Sequence, residues 1–226
     1  YGDALEIYRS SGDQLGAADT VCAMSMTASW DDDLEAGDRL AGEALAAFER
    51  LGSPEGLARA VLARGFVRLK RGDHDGAYDD YTTALEAARA QGDRHLAVTL
   101  LPGLAASAWQ LGRELHALDL AIEAANEAAE LHNANLAVWM LDLIATIVAA
   151  TEPAAAVHLA ATAACLRQAA GGGMRIESLG LPNARDVAAG ALSSEQLMDS
   201  WSAGHRTTLE EAIRLASDVR ERVAPI

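Results

Sequence analysis

The sequence predicts an all-α protein, a right-handed solenoid of about four helix pairs followed by a C-terminal helical cap. One spacing, of forty residues, recurs along the chain, and such a fixed period is typical of repeat proteins whose units pack on their neighbours. The residues that share this spacing are Ala44, Ala84, Ala124 and Ala164, and separately Gly12, Gly52 and Gly92. The chain has only five prolines, and it shows no sustained alternation of apolar and polar residues, so no sheet is expected.

Each unit is predicted to consist of two antiparallel helices, and the second unit shows the pattern most clearly. Gly72 is placed to end a helix in the left-handed conformation. Asp73 or Asp75 is placed to cap the following helix by accepting a bond from an unpaired backbone N–H. Tyr81 and Ala84 then fall on one face of that helix, where they can pack against its partner.

The same turn signals recur between units, and they set the expected boundaries of the helices. In the last unit, His132-Asn133-Ala134 takes the place of the glycine turn, and Asn133 is expected to substitute for the glycine. The predicted helices are 13–29, 34–50, 54–70, 74–90, 93–110, 114–131, 134–150 and 153–169. The repeats are therefore expected to occupy residues 1–170. The opening segment, Tyr1 to Arg9, has the pattern of the end of a helix, so we expect a fragment of a longer protein.

The remaining residues, 171–226, are predicted to form a loop and a helical cap of the same domain. The Gly171 triplet ends the last repeat helix, and a loop is expected as far as Pro182. A helix capped by Ser193 or Ser194 is predicted to run to Trp201. A further helix is predicted after Thr207 or Thr208, where the acidic residues that follow complete a capping box. Trp201 is expected to pack against the end of the solenoid, since a terminal repeat needs a cover for its apolar face.

The composition excludes several classes of partner. The formal net charge of −15 opposes contact with phosphate backbones, so no nucleic acid is expected to bind this chain directly. No apolar run is long enough to cross a membrane. Cys22 and Cys165 form no paired motif and are expected to be buried free thiols, which suits a reducing cytoplasm.

No motif in the sequence predicts catalysis, a cofactor or a metal site. The Gly171 triplet lacks the Lys-Ser/Thr that follows a phosphate-binding loop, and no nucleophile elbow is present. The histidines lack metal-ligand spacing, and His158 is the one in mid-helix whose burial is of interest. The aspartates 31–33, with Asp73 and Asp75, lack the calcium-loop pattern and are expected to cap helices. We therefore expect a non-enzymatic chain.

One cluster of basic side chains is a candidate ligand site. The helix predicted at 54–70 and its end carry Arg59, Arg64, Arg68, Lys70 and Arg71 in an otherwise acidic protein. Three of them, Arg64, Arg68 and Arg71, are spaced four and three apart and share a helix face. They could recognise an acidic peptide or a phosphate-bearing ligand. The alternative is pairing with acidic neighbours, among which are Asp79, Asp80 and the aspartates 31–33.

The tryptophans give a second candidate. Trp109 and Trp139 lie on the first helices of successive units, and Trp30 ends an earlier helix. Aromatic anchors in a groove often dominate the binding of a partner. At helical spacing in an alanine-rich repeat, the alternative is that they belong to the core.

The second unit resembles the tetratricopeptide repeat, in which first helices line a concave groove. Gly65, Gly72, Ala77, Tyr81 and Ala84 match the small and aromatic packing positions of that family. The period of forty is longer than the usual thirty-four, and the aromatic residue of the first helix is absent. Longer units of this kind resemble the repeats of large bacterial signalling ATPases.

The C-terminal part resembles the closing segments of actinobacterial multidomain transcriptional regulators. Residues 154–167 are similar to an Ala-rich helix of those proteins, and residues 197–213 to their final signature. The matching residues of the signature are Trp201, Gly204, Leu209, Glu210, Glu211 and Ala212. The resemblance implies a parent protein with a separate ATPase module and an output domain, which is often DNA-binding or cyclase-like.

These observations predict a non-catalytic sensor domain. It would bind a protein segment or a small acidic effector and, through intramolecular contacts, restrain or release the ATPase and output domains of the parent. The alternative is a self-association module, in which the solenoid flank or the C-terminal helices form a homodimer and set the oligomeric state of the parent.

Overall fold

The computed structural model describes residues 1–173 and 181–223, and helices are the only regular secondary structure in that part of the chain. The helices are α1 (Gly2–Ser11), α2 (Gln14–Trp30), α3 (Leu34–Leu51), α4 (Pro54–Arg71), α5 (His74–Ala90), α6 (Arg94–Gln110), α7 (Glu114–Glu130), α8 (Ala134–Val148), α9 (Pro153–Ala169), α10 (Ala184–Ala189), α11 (Ser194–Gly204) and α12 (Leu209–Arg222). Neighbouring helices pack in pairs from α1 to α5 and from α7 to α9, so the predicted all-α helical-repeat architecture is confirmed. Within the described ranges, no helix is both long and apolar enough to cross a membrane.

The chain divides into two compact units, Tyr1–Ser107 and Ala108–Ile226. The division falls within α6, so neither unit coincides with the expected repeats at 1–170 or with the cap at 171–226, and that organisation stays a prediction. The right-handed sense of the solenoid stays a prediction too. Most of the loop expected up to Pro182 lies outside the described residues.

Short polar caps explain where the repeat helices begin. The Asp33 side chain accepts a hydrogen bond from the backbone N–H of Ala36 (3.1 Å), and Asp73 does the same for Gly76 (3.1 Å). Each such bond satisfies one of the amide groups that a helix start leaves unpaired, and a cap of this kind stabilises by about 1 kcal/mol. The capping role expected for the aspartates is therefore confirmed at Asp33 and Asp73.

The turn before α8 differs from the prediction. His132, and not Asn133, takes the left-handed conformation, with φ of 56°. The Asn133 side chain instead caps α8 by accepting from the backbone N–H of Leu136 (3.2 Å). The short amide is more useful as an acceptor at the N-cap than as a residue with positive φ, so the expectation that Asn133 replaces the glycine is wrong.

The first unit is packed around two aromatic side chains that lie on glycines. Tyr81 of α5 is 1% exposed, and its ring lies against Gly65 of α4 and Gly103 of α6. Phe48 of α3 is fully buried against Gly56, the third residue of α4. Because these glycines have no side chain, the aromatic rings can approach the neighbouring helix closely. The glycines and the aromatic residues of the repeat thus pack directly on each other.

In the second unit, three C-terminal helices cover the last repeat helices. Two of them, α10 and α11, pack on α9, while α12 packs on α7, α8 and α9. Arg220 of α12 donates two hydrogen bonds to the Asp119 carboxylate of α7, at 2.5 and 2.9 Å. The predicted capping box starts α12 at Thr208, with Glu211 as its second member. Ser193, one of the two serines expected to cap α11, does so, and it forms a capping box with Gln196 that was not predicted. The helix expected to end at Trp201 continues to Gly204, and α10 was not predicted.

Candidate functional site

One buried carboxylate on α5 orients two of the five basic residues of α4. Asp80 has a side chain only 8% exposed, and it accepts two hydrogen bonds from Arg64, Nε to Oδ2 at 2.9 Å and Nη2 to Oδ1 at 2.6 Å. The Nη1 atom of Arg68 lies 2.9 Å from the same carboxylate, and it also donates to the backbone carbonyl of Gly76 at 3.0 Å. Asp80 therefore holds two guanidinium groups side by side.

This arrangement fixes the orientation of both arginines without burying them. The side chains of Arg64 and Arg68 remain 32% and 33% exposed. A guanidinium group has five N–H donors, and the contacts with Asp80 use only some of them. The Arg64–Arg68 pair, as we call these two side chains with Asp80 between them, can therefore still donate to a ligand. Their loss of side-chain freedom has already occurred on folding, so a ligand would not have to order them.

The other basic residues of α4 contact different elements. Arg59 donates to Asp19 of α2, with its Nη2 atom 2.6 Å from the carboxylate. Arg71 donates to Asp38 (2.7 Å) and to the backbone carbonyl of Leu34. Arg71 thus turns to the start of α3, away from the residues that share its helical spacing. The structure brings Arg64 and Arg68 together but places Arg59 and Arg71 at separate positions.

Pairing with acidic neighbours, the alternative that the sequence left open, occurs at each basic residue of α4. Asp80 is the partner of the Arg64–Arg68 pair, and Asp32 lies 2.5 Å from the Nζ atom of Lys70. Lys70 also donates to the Ser29 carbonyl at 2.7 Å. These bonds connect α4 to α2 and α5, so the basic residues contribute to packing whether or not they also bind a ligand.

The tryptophans occupy three different environments. Trp139 is 7% exposed and belongs to the core of the second unit, and its indole N–H is buried without a hydrogen-bond acceptor. Trp109 is half-buried near the end of α6. Trp30 packs on Phe66, with the ring centroids 4.8 Å apart. The sequence left two alternatives for Trp139, an anchor for a partner and a core residue. The structure shows that it is a core residue.

A polar cavity between α8, α9, α10 and α11 was not predicted. Its volume is about 220 Å³, and its lining includes Asp142 of α8, Arg167 of α9, and Arg185 and Trp201 of the cap. Asp142 and Arg167 form an ion pair whose side chains are 11% and 14% exposed. The guanidinium carbon of Arg185 lies 4.7 Å from the centre of the Trp201 ring, in a cation–π contact. The one sequence signal was Asp142, which interrupts the most apolar stretch of the chain.

Two titratable groups have perturbed environments. Burial raises the pKa of the Cys22 thiol to about 11, and its Sγ atom donates to the Arg59 carbonyl. Burial lowers the pKa of His158, which is half-buried with its Nε2 atom 2.7 Å from Thr207 Oγ1. Both cysteines are free, as expected, but Cys165 is only half-buried, so the expected burial holds for Cys22 alone. Residues 1–173 and 181–223 contain no cluster of acidic, histidine and cysteine side chains that could hold a metal ion.

Comparisons with known proteins concern the fold only. No protein-family model matches the chain, and no curated protein matches its sequence. The fold is similar to that in the crystal structure of BtubC (BKLC) from P. vanneervenii, with a TM-score of 0.63 and 16% sequence identity. The likeness covers 98% of this chain and 87% of BtubC. At that level of identity, the comparison supports a helical-repeat architecture and carries no information about function.

Proposed function

We propose that this chain is a non-catalytic binding module that recognises an acidic protein segment or a small acidic effector. Its repeats resemble tetratricopeptide units, and proteins of that architecture bind ligands on extended helical surfaces. The C-terminal resemblance supports a parent protein that is a transcriptional regulator or signalling ATPase, in which this module contacts the ATPase and output domains. The free thiols are consistent with a cytoplasmic location.

The observation that carries this proposal is the Arg64–Arg68 pair. Both guanidinium groups are held by Asp80 and are one third exposed, so their remaining N–H groups are oriented before a ligand arrives. A carboxylate or phosphate can accept charge-assisted hydrogen bonds from the N–H groups that do not contact Asp80, which adds directional specificity to charge attraction. The pair is therefore suited to an acidic ligand.

The charge of the whole chain sets the conditions under which such binding is measurable. The net charge of −15 repels an acidic ligand at long range. At an ionic strength of about 0.15 M the screening length is about 8 Å, so this repulsion is weakened while contacts at hydrogen-bond distance persist. Acidic ligands are therefore expected to bind better at physiological ionic strength than in dilute buffer.

In the parent regulator, ligand binding would shift the population between two packings of the module against its neighbouring domains. A ligand changes such an equilibrium only if it binds one packing more tightly than the other. The Arg64–Arg68 pair would supply that difference if one packing covers it and the other leaves it open to the ligand.

The direct test uses fluorescently labelled acidic peptides and measures their anisotropy with the full 226-residue chain. The variant Arg64→Gln/Arg68→Gln removes both charges but keeps N–H donors, and we expect Kd to rise at least about tenfold. If the double variant is unstable, Arg68→Gln alone replaces it, because Arg64 then still pairs with Asp80 and the fold is expected to be preserved. Arg39→Gln, an exposed arginine on α3, is the control and should leave Kd unchanged. Equal affinities for all variants would contradict the proposal.

A second function, self-association, is favoured by exposed apolar side chains at the start of the chain. Ile7 is 64% exposed, and Tyr8 and Leu15 are 37% and 46% exposed. No residue of α1 is buried. Covering such side chains with the same surface of a second copy would give a homodimer.

Light scattering across a range of concentrations tests this second function. A dimer that becomes monomeric in the variant Ile7→Glu would support it, since a charge on the apolar face opposes burial. The exposed substitution Glu6→Gln is the matched control and should leave the mass unchanged. A monomer at every concentration would exclude self-association and leave the binding module as the only candidate.

A further inference from the structure

We propose that the cavity between α8, α9, α10 and α11 binds a small zwitterion of amino-acid size. This inference rests on the proposed function as an effector-binding module, and it adds a second site and names its ligand class. The cavity belongs wholly to the second unit and does not involve the Arg64–Arg68 pair. It therefore stands on different residues from those that carry the acidic-ligand site.

The charges around the cavity point to a ligand that carries both signs. Its lining has two guanidinium groups, Arg167 and Arg185, and two carboxylates, Asp142 and Asp186. Their formal charges cancel, so the cavity offers no net attraction to a simple anion or cation. A molecule with a carboxylate and an ammonium group on the same carbon atom can contact both kinds of side chain at once, and each contact would contribute to its binding.

The two deeper charges differ from the two at the surface. Arg167 and Asp142 are mostly buried and pair with each other, so they form a fixed polar floor. Arg185 and Asp186 are exposed and adjacent in sequence at the start of α10. Both side chains line the cavity and are accessible from solvent, so a zwitterion would place its carboxylate on Arg185 and its ammonium group on Asp186. In this floor, Arg167 would donate hydrogen bonds to the ligand atoms that reach it, and Asp142 would accept them.

The Trp201 ring makes Arg185 a better carboxylate ligand. The guanidinium carbon lies 4.7 Å from the ring centre, so the cation–π contact restricts the orientation of the arginine. An arginine that stacks by its face keeps its N–H groups at the edge, where they can donate to a planar carboxylate. The ring and the methyl groups of Ala160 and Ala164 also line the cavity and provide an apolar wall for a side chain of the ligand.

The volume sets the size of the ligand. A cavity of about 220 Å³ has room for several water molecules or for one small organic molecule. Amino acids have this size, whereas the pockets that hold drug-sized ligands are typically about 300–1,000 Å³. The ligand is expected to be a free amino acid and not a residue within a peptide, because an internal peptide residue has neither the carboxylate nor the ammonium group.

The experiment measures binding of each of the standard L-amino acids to the full chain. Thermal unfolding at ~10 mM amino acid identifies ligands, since a ligand that binds only the folded state raises Tm, and calorimetric titration then gives Kd. We expect at least one amino acid to bind. The substitution Arg185→Gln should raise its Kd at least about tenfold, and Trp201→Leu should weaken it in the same direction. The control Arg214→Gln changes an exposed arginine of α12 that does not line the cavity, and it should leave Kd unchanged.

Two results would overturn this inference. One is that no amino acid changes Tm or produces heat on titration. The other is that the Arg185→Gln variant binds as tightly as the Arg214→Gln control, which would place the ligand elsewhere. Both are distinguishable from failure of the proposed function, because the acidic-peptide assay with the Arg64→Gln/Arg68→Gln variant does not involve this cavity.

Discussion

The ring of Tyr81 lies so close to Gly103 that a Cβ atom on that glycine would be 2.2 Å from Tyr81 Cζ. Gly65 of α4 approaches the same ring, and a Cβ atom on that glycine would be 2.8 Å from Tyr81 Cζ. Tyr81 is 1% exposed, so the ring is enclosed by neighbouring atoms and cannot turn out to solvent without disturbing them. The glycines of α4 and α6 therefore set the distance at which α5 packs between them.

This contact predicts that Gly103→Ala destabilises the protein. The added methyl group must displace a buried ring, and overpacking of this kind costs about 1–3 kcal/mol. Gly42→Ala on α3 is the matched control, because a Cβ at Gly42 meets nothing within 4 Å and alanine favours the helix by up to about 1 kcal/mol. Urea denaturation should show opposite signs for the two changes. A stabilising Gly103→Ala would contradict the packing described for Tyr81.

The pairing of Asp80 predicts a large difference between two adjacent aspartates. Asp80→Ala removes the carboxylate that holds Arg64 and Arg68, and the expected loss of unfolding free energy is about 2 kcal/mol. This value is below the usual range for a buried ion pair, since both arginines are partly exposed and can turn to water. Asp79→Ala changes an exposed carboxylate and should remain within about 0.5 kcal/mol of the wild type. Equal effects in chemical denaturation would show that the Arg64–Arg68 pair is not held by Asp80.

The environment of His158 predicts a pH-dependent term in stability. Burial lowers the pKa of His158 in the folded state, while in the unfolded chain it stays near 6.5. As the pH falls below about 6.5, the unfolded state binds the proton more readily, so this group reduces stability until the folded pKa is passed. The variant His158→Gln lacks this term.

The measurement compares unfolding free energies of wild type and His158→Gln from about pH 7.5 to about pH 5, the range over which histidine titrates. The wild type should lose more stability than the variant as the pH falls. Carboxylates contribute equally to both proteins in this range, so the difference between the two curves isolates His158. Parallel curves would mean that His158 has the same pKa in the folded and unfolded states.

The two cysteines are predicted to differ in reactivity. Cys22 is 8% exposed with a pKa raised to about 11, so at pH 8 about one thiol in a thousand is a thiolate. Cys165 is half-buried and more accessible. Alkylation of the folded chain, followed by mass spectrometry, should modify Cys165 first and Cys22 only after addition of denaturant. Faster modification of Cys22 in the folded protein would contradict its burial.

Much of the repeat architecture could be predicted from the sequence because its signals are local. Asp33 and Asp73 cap helices where the spacing placed them, since a cap depends on residues within three positions. Helical spacing also implies that Asp80, three residues after Ala77 and four before Ala84, shares the buried face of α5. The same spacing leaves Asp79 exposed.

The cavity, the helix α10 and the turn before α8 were not predicted correctly. They depend on contacts between residues distant in sequence, on a helix too short to show a period, or on two adjacent residues that suit the same position. Asp142 and Trp201 line one cavity although they lie on α8 and α11, and no local pattern indicates that both helices pack on α9. The short helix α10 spans fewer than two turns, too few for an apolar period to become visible. At the turn before α8, either His132 or Asn133 could take the positive-φ position. Their preferences for that position differ little, so the sequence alone does not decide between them.

The central claim is that Arg64 and Arg68 donate hydrogen bonds to an acidic ligand, and nuclear magnetic resonance of the arginine side chains tests it most directly. Titration of the tightest acidic peptide into the labelled chain should shift the Nε–H resonances of Arg64 and Arg68. The resonance of Arg220, which is paired with Asp119 in the other compact unit, should stay in place. Binding that leaves the Arg64 and Arg68 resonances unchanged would contradict the account, because the ligand would then occupy another surface.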